Sequence, residues 1–586
     1  MIQILKNRTN RDCSEKTYKL LNRGAKKVKE QHILFINMPT LPLSNLIKGM
    51  TDRAIRCFPF GILYLSAVLK KQKHQGHIAC VDYLVQDSAS FATNLDELIM
   101  SEAINAISPH IPDILAFSFS YSTQHEFFCH CLPLLKNIWP GATVIVGGIH
   151  ASNAVEYLLE NHDVDYVVAG EGEESFPLLL SSLLHQEENH DIKGVYSRDA
   201  IRYDITGKPE IATPVKNLND LPFPDWSILK AESYMGQNAE GAQLFGDEIG
   251  AASGQHRHAF LFTTRGCPFK CTFCASHSIH DRKMRQRDVQ NVIEEMRQLN
   301  KSYGANYFHI YDDLAFLTTK RALELLEGMK NSGIENLQVS VTQTLSVNCT
   351  NEDTIDAIID YIGISTISFA VETAHPGTQK RIKKNVDLDK AERLIRYAQS
   401  KGLIVTINII MGFPEETREQ MLESISYVKK HLKPNWTQFY IATPIIGSEM
   451  YEQFIEAGCI TNSPEAWNKT LINYRYFDSP WITAGELNEL RYRANLECNF
   501  ADNYDLQRGD YNKALTLFRG VIKLYPFHIF AWDGIRRAEL LSGNEKEAQA
   551  AEQKIRERVL NDSRSRELLE KYGDLFPKVV EICRAS

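Results

Sequence analysis

Apolar and polar residues alternate in two different ways between about residues 258 and 450. Short apolar runs rich in β-branched and aromatic residues are separated by stretches with helical spacing, for example 289–300 and 388–400. Six of these runs are predicted to be strands: 259–264, 306–311, 337–342, 364–371, 403–410 and 436–442. Regular alternation of strand and helix predicts a parallel sheet, here a partial (β/α)6 barrel of the TIM type.

A second α/β block covers residues 32–190. Its predicted strands are 32–37, 77–82, 113–118, 143–146 and 165–168, with helices such as 62–73 and 127–137 between them. Short parallel strands with helices on both faces predict a doubly wound, Rossmann-like sheet, which binds ligands beyond the carboxyl ends of its strands. The Gly-x-Gly-x-x-Gly run of dinucleotide-binding domains is absent from this block.

The last part of the chain is helical in composition from Glu486 onward. The run that begins Gly509-Asp510 returns at Gly543-Asn544, with the 34-residue period of tetratricopeptide repeats. One clear unit and one partial copy predict a helical cap on the barrel, and a surface for a protein partner is the alternative. The domain prediction is therefore a basic extension (1–31), an α/β domain (32–190), a linker (191–257), a barrel (258–450) and a helical domain (451–586).

Composition adds a few constraints. A length of 586 residues with 44% hydrophobic content is enough for about three domains. The net charge of −8 gives no electrostatic case for binding nucleic acid. The sequence shows neither a signal peptide nor a transmembrane segment, and its 12 cysteines lack the spacing of a disulfide framework, so we expect a cytoplasmic protein.

Three of the cysteines follow the first predicted barrel strand, in the run Thr264-Arg-Gly-Cys267-Pro-Phe-Lys-Cys271-Thr-Phe-Cys274. Gaps of three and two residues bring three thiolates to one face of a tight loop. A cubane iron-sulfur cluster normally takes four protein sulfurs, so three would leave one iron open. The alternative is a zinc site in which His277 or His280 supplies a fourth ligand.

Carboxylates follow the second and fourth predicted barrel strands. Asp312 and Asp313 come after the second strand, and Glu372 closes the fourth. Catalytic residues of such barrels gather at these strand ends. Taken singly, each carboxylate is equally a helix cap or a solvated loop charge. For Glu372, a structural pairing with a neighbouring base such as Lys380 or Arg381 is a further alternative.

The cysteine run resembles that of the radical S-adenosylmethionine (SAM) enzymes almost letter for letter. The resemblance implies that Cys267, Cys271 and Cys274 hold a [4Fe-4S] cluster whose open iron binds SAM. An electron from the cluster would then cleave SAM to a 5′-deoxyadenosyl radical. Asp312 and Asp313 look like the family segment that binds the SAM amino group, although many members carry Gly-Gly-Glu there. Val371-Glu372-Thr373 is similar to the family's fourth-strand motif, whose acidic residue approaches the SAM ribose.

The α/β block resembles the cobalamin-binding domain that precedes the barrel in one radical SAM subclass. The motifs that carry this resemblance are Pro59-Phe60-Gly61-Ile62, Val146-Gly147-Gly148-Ile149-His150, Val168-Ala169-Gly170-Glu171-Gly172-Glu173 and Leu221-Pro222-Phe223-Pro224. It implies a cobalamin at the strand ends, with Ser118, Ser120, Gly147, Gly148 and His150 as candidate contacts. The Asp-x-His-x-x-Gly motif that supplies an axial histidine is absent, so we expect no imidazole on cobalt and favour a structural role for His150. A vestigial domain without cobalamin is the alternative.

This resemblance implies an enzyme that takes electrons from a reductant such as flavodoxin or ferredoxin and modifies a small-molecule substrate. In the methyltransferases of the subclass, the radical removes hydrogen from an unactivated carbon, methylcobalamin delivers the methyl group and a second SAM regenerates it. Non-methylating cyclases and oxidases share the architecture and form the first alternative. Methylthiotransferases are a weaker one, because Cys57, Cys80, Cys129 and Cys131 do not fall where their extra cluster requires. A zinc-binding helical-repeat interaction protein is the alternative of another class.

Overall fold

The computed structural model describes residues 30–44, 58–84, 91, 94–185, 192–203, 207–235, 256–341, 344–469 and 474–584. The predicted basic extension, apart from its last two residues, and Cys57 lie outside these ranges. Within them, no helix has the length and apolar character needed to cross a membrane. The chain folds as an α/β domain, a barrel and a helical region, as predicted from the sequence.

The α/β domain contains a six-stranded sheet in the order β2-β1-β3-β4-β5-β6. The strands are β1 (Ile33–Asn37), β2 (Ile78–Asp82), β3 (Ile114–Ser118), β4 (Thr143–Gly147), β5 (Tyr166–Val168) and β6 (Val195–Tyr196). The first five are parallel and match the predicted strands to within one residue. Strand β6 is antiparallel to β5 and lies in the predicted linker. Two buried residues carry no periodic signal, so this strand could not be predicted from the sequence.

Helices cover both faces of this sheet: α1 (Phe60–Lys71), α2 (Leu95–Ile107), α3 (His125–Ile138), α4 (Ile149–Asn153), α5 (Val155–Asn161) and α6 (Gly172–His185). Alternate side chains of each strand point to opposite faces. Leu34 and Ile36 therefore pack with α2, α3 and α5, whereas Ile33 and Phe35 pack with α1 and α6. The result is a doubly wound sheet with two buried faces.

The second domain begins with β7 (His258–Leu261) and a short antiparallel pair, β8 (Thr264–Arg265) and β9 (Arg285–Gln286). Its other strands are β10 (Tyr307–Ile310), β11 (Gln338–Val341), β12 (Thr366–Glu372), β13 (Ile404–Met411) and β14 (Trp436–Ile441). Two parallel three-stranded sheets, β11-β10-β7 and β12-β13-β14, are joined by a bridge between Leu345 and Phe369. The six-stranded partial barrel is confirmed, but the predicted strand 259–264 breaks before Thr264.

The helices that accompany the barrel are α7 (Glu232–Met235), α8 (His277–His280), α9 (Val289–Tyr303), α10 (Thr319–Lys330), α11 (Glu352–Ala357), α12 (Pro376–Arg381), α13 (Leu388–Ser400) and α14 (Arg418–Tyr427). In α9, Val292, Met296 and Leu299 recur at helical spacing and are buried in the barrel core. The other long helices bury one face in the same way. The loops at the carboxyl ends of the strands therefore rest on a rigid scaffold.

The remaining helices are α15 (Glu449–Glu456), α16 (Pro464–Trp467), α17 (Ala484–Leu496), α18 (Tyr504–Arg508), α19 (Tyr511–Leu524), α20 (Ile529–Leu541), α21 (Glu545–Asn561), α22 (Ser563–Tyr572) and α23 (Pro577–Arg584). Helices α19 and α21 begin 34 residues apart, at 511 and 545, as the repeat predicts. The predicted boundary at 450 is too early, however. Helix α17 packs Leu487 into the barrel core, and Trp467 of α16 packs into the α/β domain.

The helical repeat caps the barrel, as predicted, at the amino ends of its strands. Ile404 and Trp436, at the starts of β13 and β14, belong to the core of the repeat. Asn435 donates from Nδ2 to Oδ1 of Asp505 at 2.7 Å. The repeat is therefore on the opposite side of the barrel from the carboxyl ends, where the cysteines lie.

Candidate functional site

The cysteine loop runs from β8 to α8 at the carboxyl end of the barrel. It opens with Gly266 at φ +82, where an added Cβ would lie 2.7 Å from the carbonyl oxygen of Lys283. Further along, the backbone of Thr272 donates to the carbonyl of Ile382 and accepts from the amide of Met450. These hydrogen bonds fix the loop against α12 and the start of α15. They therefore restrain the backbone that carries the three cysteines.

Cys271 is buried, and Cys267 and Cys274 are partly buried. Burial raises the pKa of Cys267, and raises the pKa of Cys271 and of Cys274 to about 11. The positive charge of Lys384 has the opposite effect and lowers the pKa of all three thiols. A cation close to three sulfurs suits an anionic thiolate-ligated cluster.

The three cysteines do not form a compact, preassembled zinc site in the described structure. A tetrahedral zinc ion holds its sulfur ligands about 3.8 Å apart. In the described part of the chain, the one group of three or more candidate metal ligands with donor atoms within 4.8 Å of one another lies elsewhere and includes none of these cysteines. His280, a predicted fourth ligand, bonds through Nδ1 to Oε1 of Glu171 at 2.8 Å. His280 is thus engaged by a carboxylate of the α/β domain.

The two aspartates after β10 have different environments. Asp312 is fully buried and accepts hydrogen bonds from the backbone N (2.6 Å) and Oγ1 (2.5 Å) of Thr263. Burial raises its pKa to about 6. Asp313 is exposed and accepts from Oγ of Ser276 at 2.5 Å, beside the cysteine loop. Asp312 thus fixes the turn between β7 and β8, while Asp313 faces the space in front of the cysteines.

Glu372 ends β12 with φ +69 and is 7% exposed. Nζ of Lys384 lies 3.2 Å from Oε1 of Glu372. The base that pairs with it is therefore neither Lys380 nor Arg381. Burial, followed by the charge of Glu372, raises the pKa of Tyr440 to about 12, which places this carboxylate near the neighbouring strands. The Glu372–Lys384 pair and the cysteine loop are adjacent.

A cleft of about 290 Å³ lies between the carboxyl edge of the α/β sheet and the start of the barrel. Four predicted contacts line it, namely Ser118, Ser120, Gly147 and Gly148. The barrel contributes Phe262, Arg265, Ile279, His280 and Tyr311 to the opposite wall. The mainly apolar lining with polar groups at the strand ends fits a large, partly apolar ligand such as a corrin.

His150 is not part of this lining. Its ring is fully buried, stacks on Phe119 at 4.3 Å and bonds through Nδ1 to Oγ of Ser122 at 3.0 Å. Burial lowers its pKa to about 3. These contacts agree with the structural role favoured by the sequence and do not place its ring in the cleft.

The two glycines of the β4 turn serve different purposes. At Gly148 the backbone has φ +113, and an added Cβ would lie 2.6 Å from the carbonyl oxygen of Phe119. Gly148 is therefore required by the close approach of two backbone segments. An added Cβ at Gly147 would lie 3.5 Å from the carbonyl oxygen of Val168, an ordinary contact. Gly147 is the position at which a larger side chain would enter the cleft.

A buried ion network joins the cleft to the cysteine loop. Arg285 donates from Nη1 to Glu171 at 2.8 Å and also from Nη2, and Arg265 bonds Glu173 at 2.7 Å. Burial raises the pKa of Glu171, but hydrogen bonds from Arg285 and His280 outweigh this effect and hold that pKa well below its usual range. Arg265 directly precedes Gly266, so the loop is tied to the α/β domain. These roles were not predicted, since the sequence does not show which distant charges meet.

Comparison with known proteins agrees with these two sites. The model of the radical SAM superfamily matches residues 261–428, and that of the B12 binding domain matches residues 50–180. An uncharacterized methyltransferase of Pyrococcus horikoshii is 28% identical over 73% of this chain and 84% of its own length. The cytidylyl-2-hydroxyethylphosphonate methyltransferase of Streptomyces wedmorensis is 27% identical over 75% of this chain and 84% of its own length.

The fold is also found in solved structures. The cobalamin-dependent SAM radical enzyme OxsB, with aqua-cobalamin and SAM bound, has a TM-score of 0.60 at 15% identity over 94% of this chain and 84% of its own. The radical SAM methyltransferase TsrM of Kitasatospora setae, with cobalamin and a [4Fe-4S] cluster bound, has a TM-score of 0.54 at 13% identity over 90% of this chain and 99% of its own. The chain is a radical SAM enzyme with a B12 binding domain before its barrel. These are the two domains that its motifs resemble.

Proposed function

We propose that this protein is a cobalamin-dependent methyltransferase that acts on an unactivated carbon of a small molecule. The observation that carries the proposal is the shared wall of its two sites. Arg265 lines the cleft of the B12 binding domain and is followed directly by Gly266 and Cys267 of the cysteine loop. A ligand in the cleft would therefore lie next to a ligand on the loop.

Each residue of the site has a role in this proposal. Cys267, Cys271 and Cys274 hold the cluster and leave one iron for the amino and carboxylate groups of SAM. Asp313, which is exposed beside the loop, is placed to accept from the SAM amino group. Glu372 accepts from the SAM ribose and is paired with Lys384. Asp312 acts indirectly, because it holds the turn from which the loop begins.

Cobalamin would occupy the cleft along Ser118, Ser120 and Gly147, without an imidazole from His150. When bound, it supplies methyl transfer, and the cluster with SAM supplies a carbon-centred radical. The chain's contribution is to hold the two cofactors side by side and to exclude water between them.

Relatives favour methyl transfer over the alternatives. Besides the two methyltransferases above, they include a hopanoid C-3 methylase of Methylococcus capsulatus, 24% identical over 72% of this chain and 72% of its own length. They also include a cyclase, the anaerobic magnesium-protoporphyrin IX monomethyl ester cyclase of Rubrivivax gelatinosus, which is 22% identical over 67% of this chain and 66% of its own length. A non-methylating cyclase or oxidase is therefore the second candidate.

The enzyme would take electrons from a small reductant such as flavodoxin or ferredoxin. The reduced cytoplasm is the compartment we propose, because an open cluster needs it and the cysteines described here form no disulfide. The helical repeat, on the far side of the barrel, is free to contact a protein partner without blocking the site.

The proposal is tested with reduced, reconstituted enzyme, cobalamin and SAM, by counting S-adenosylhomocysteine and 5′-deoxyadenosine. A methyltransferase should form S-adenosylhomocysteine in proportion to bound cobalamin. The control is Gly147→Phe. This variant should retain its iron and still form 5′-deoxyadenosine, but it should no longer form S-adenosylhomocysteine. Deoxyadenosine without cobalamin-dependent S-adenosylhomocysteine would favour the cyclase or oxidase.

A further inference from the structure

Three potential metal ligands meet in the α/β domain, away from the cysteine loop. His125 and Cys129 lie in the first turns of α3, and His162 follows the end of α5. A spacing of four residues puts His125 and Cys129 on one face of the helix. One donor atom from each of the three residues lies within 4.8 Å of the other two.

This group contains a buried polar atom without a partner. Nε2 of His162 is buried and has no hydrogen-bond partner among the described residues. His125 is 3% exposed, and its Nε2 contacts the Cys129 thiol. Buried imidazole nitrogens without partners are unfavourable.

The spacing agrees with one tetrahedral ion. Zinc–nitrogen and zinc–sulfur bond lengths place a nitrogen and a sulfur ligand about 3.5 Å apart. Nε2 of His125 lies 3.3 Å from Sγ of Cys129. Cys129 and His162 are partly exposed, which leaves room for a fourth ligand from solvent.

We propose that His125, Cys129 and His162 bind a divalent transition metal of the zinc type. On binding, the Cys129 thiol loses its proton to solvent and forms a thiolate–metal bond, without any change of redox state. The ion would join the start of α3 to the chain after α5. Trp467 packs edge-on against both His125 and His150, so the metal site adjoins the back of the β4 turn.

This site has a structural role in the proposal. The ion would stabilise the residues that pack behind the turn of Gly147 and Gly148. It would not occupy the cleft in front of that turn. The inference does not depend on methyl transfer. It also means that zinc in the purified protein is no evidence for zinc in the cysteine loop.

The test is elemental analysis of full-length protein with its cluster in place, after exposure to zinc and removal of the excess. We expect about one zinc ion per chain in the unaltered protein. The zinc content should fall at least tenfold in Cys129→Ala and in His162→Ala. The matched control is His130→Ala, an exposed histidine on the same helix, which should keep its zinc.

Iron per chain serves as the measure of folding and should be the same in all four proteins. A melting temperature that rises with zinc in the unaltered protein and in His130→Ala, but not in the two ligand variants, is the second expected result. Equal zinc in the unaltered protein and both ligand variants, or no retained zinc in any of them, would overturn the proposal.

Discussion

Single residues at the mouth of the barrel are distinguished by the partners that they have. Both carboxylate oxygens of Asp312 accept hydrogen bonds from Thr263, whereas Glu372 accepts one hydrogen bond from Lys384. A buried carboxylate is stable only when it is paired and hydrogen-bonded. Of these two buried acids, Glu372 is therefore the one that can still accept a hydrogen bond from a ligand.

Substitution of Glu372 by Gln tests this capacity. The variant should keep its iron but bind SAM more weakly by about 1 to 3 kcal/mol, the scale of a hydrogen bond to a charged group. Calorimetry of the reconstituted variant measures the loss, with Glu352→Gln as the control, a partly exposed carboxylate that pairs with Arg393. Unchanged affinity for SAM would make Glu372 a structural partner of Lys384 alone.

Glu416 gives a pH-dependent prediction. Its side chain is 1% exposed and accepts from the backbone of Gly412 and Phe413, and burial raises its pKa from 4.5 to about 7. The folded state therefore favours the protonated acid. The resulting stability is complete below pH 4.5 and is lost as the pH rises through about 7. One pKa unit corresponds to about 1.4 kcal/mol, so the loss amounts to about 3 kcal/mol.

Glu416→Gln keeps the acceptor oxygen and removes the titration. Unfolding measured anaerobically between pH 4.5 and 7.5 should show a steeper loss of stability for the unaltered protein than for the variant. Parallel curves for the two proteins would show that Glu416 does not titrate in this range.

At the scale of elements, the turn after β4 combines a structural glycine with a ligand-facing one. Gly148→Ala should lower the free energy of unfolding by more than about 1 kcal/mol, because a positive φ and a 2.6 Å approach to Phe119 both oppose a Cβ. Gly147→Val should fold normally but take up little cobalamin. Unfolding curves and cobalamin content distinguish the two effects, and Gly147→Val that binds cobalamin normally would contradict the placement of the cofactor.

The elements themselves were largely predictable. Runs such as 114–117 are short, apolar and bounded by polar residues, so their length and flanking residues favour strands. Ser118, Ser120, Gly147 and Gly148 could be placed at the cleft because parallel strands end at one edge. The pairing of Arg265 with Glu173 could not be predicted, since contacts between distant charges depend on how the domains dock.

In the whole molecule, the candidate site and the helical repeat lie at opposite ends of the barrel strands. The cysteine loop, the Glu372–Lys384 pair and the cleft lie together where the B12 binding domain meets the carboxyl ends of the barrel strands. The helical repeat packs at the opposite ends of β13 and β14. The proposed chemistry is thus at the junction of two domains, and the third packs against the opposite end of the barrel.

The most direct measurement of this arrangement is the yield of 5′-deoxyadenosine from reduced enzyme and SAM. The unaltered protein should contain about four irons per chain and form 5′-deoxyadenosine. The variant with Cys267, Cys271 and Cys274 all replaced by Ala should remain folded, because the cores of the domains do not depend on the loop, but should lose both the iron and the product. A variant that retains its iron and still cleaves SAM, or an iron-loaded unaltered protein that forms no 5′-deoxyadenosine, would contradict the assignment.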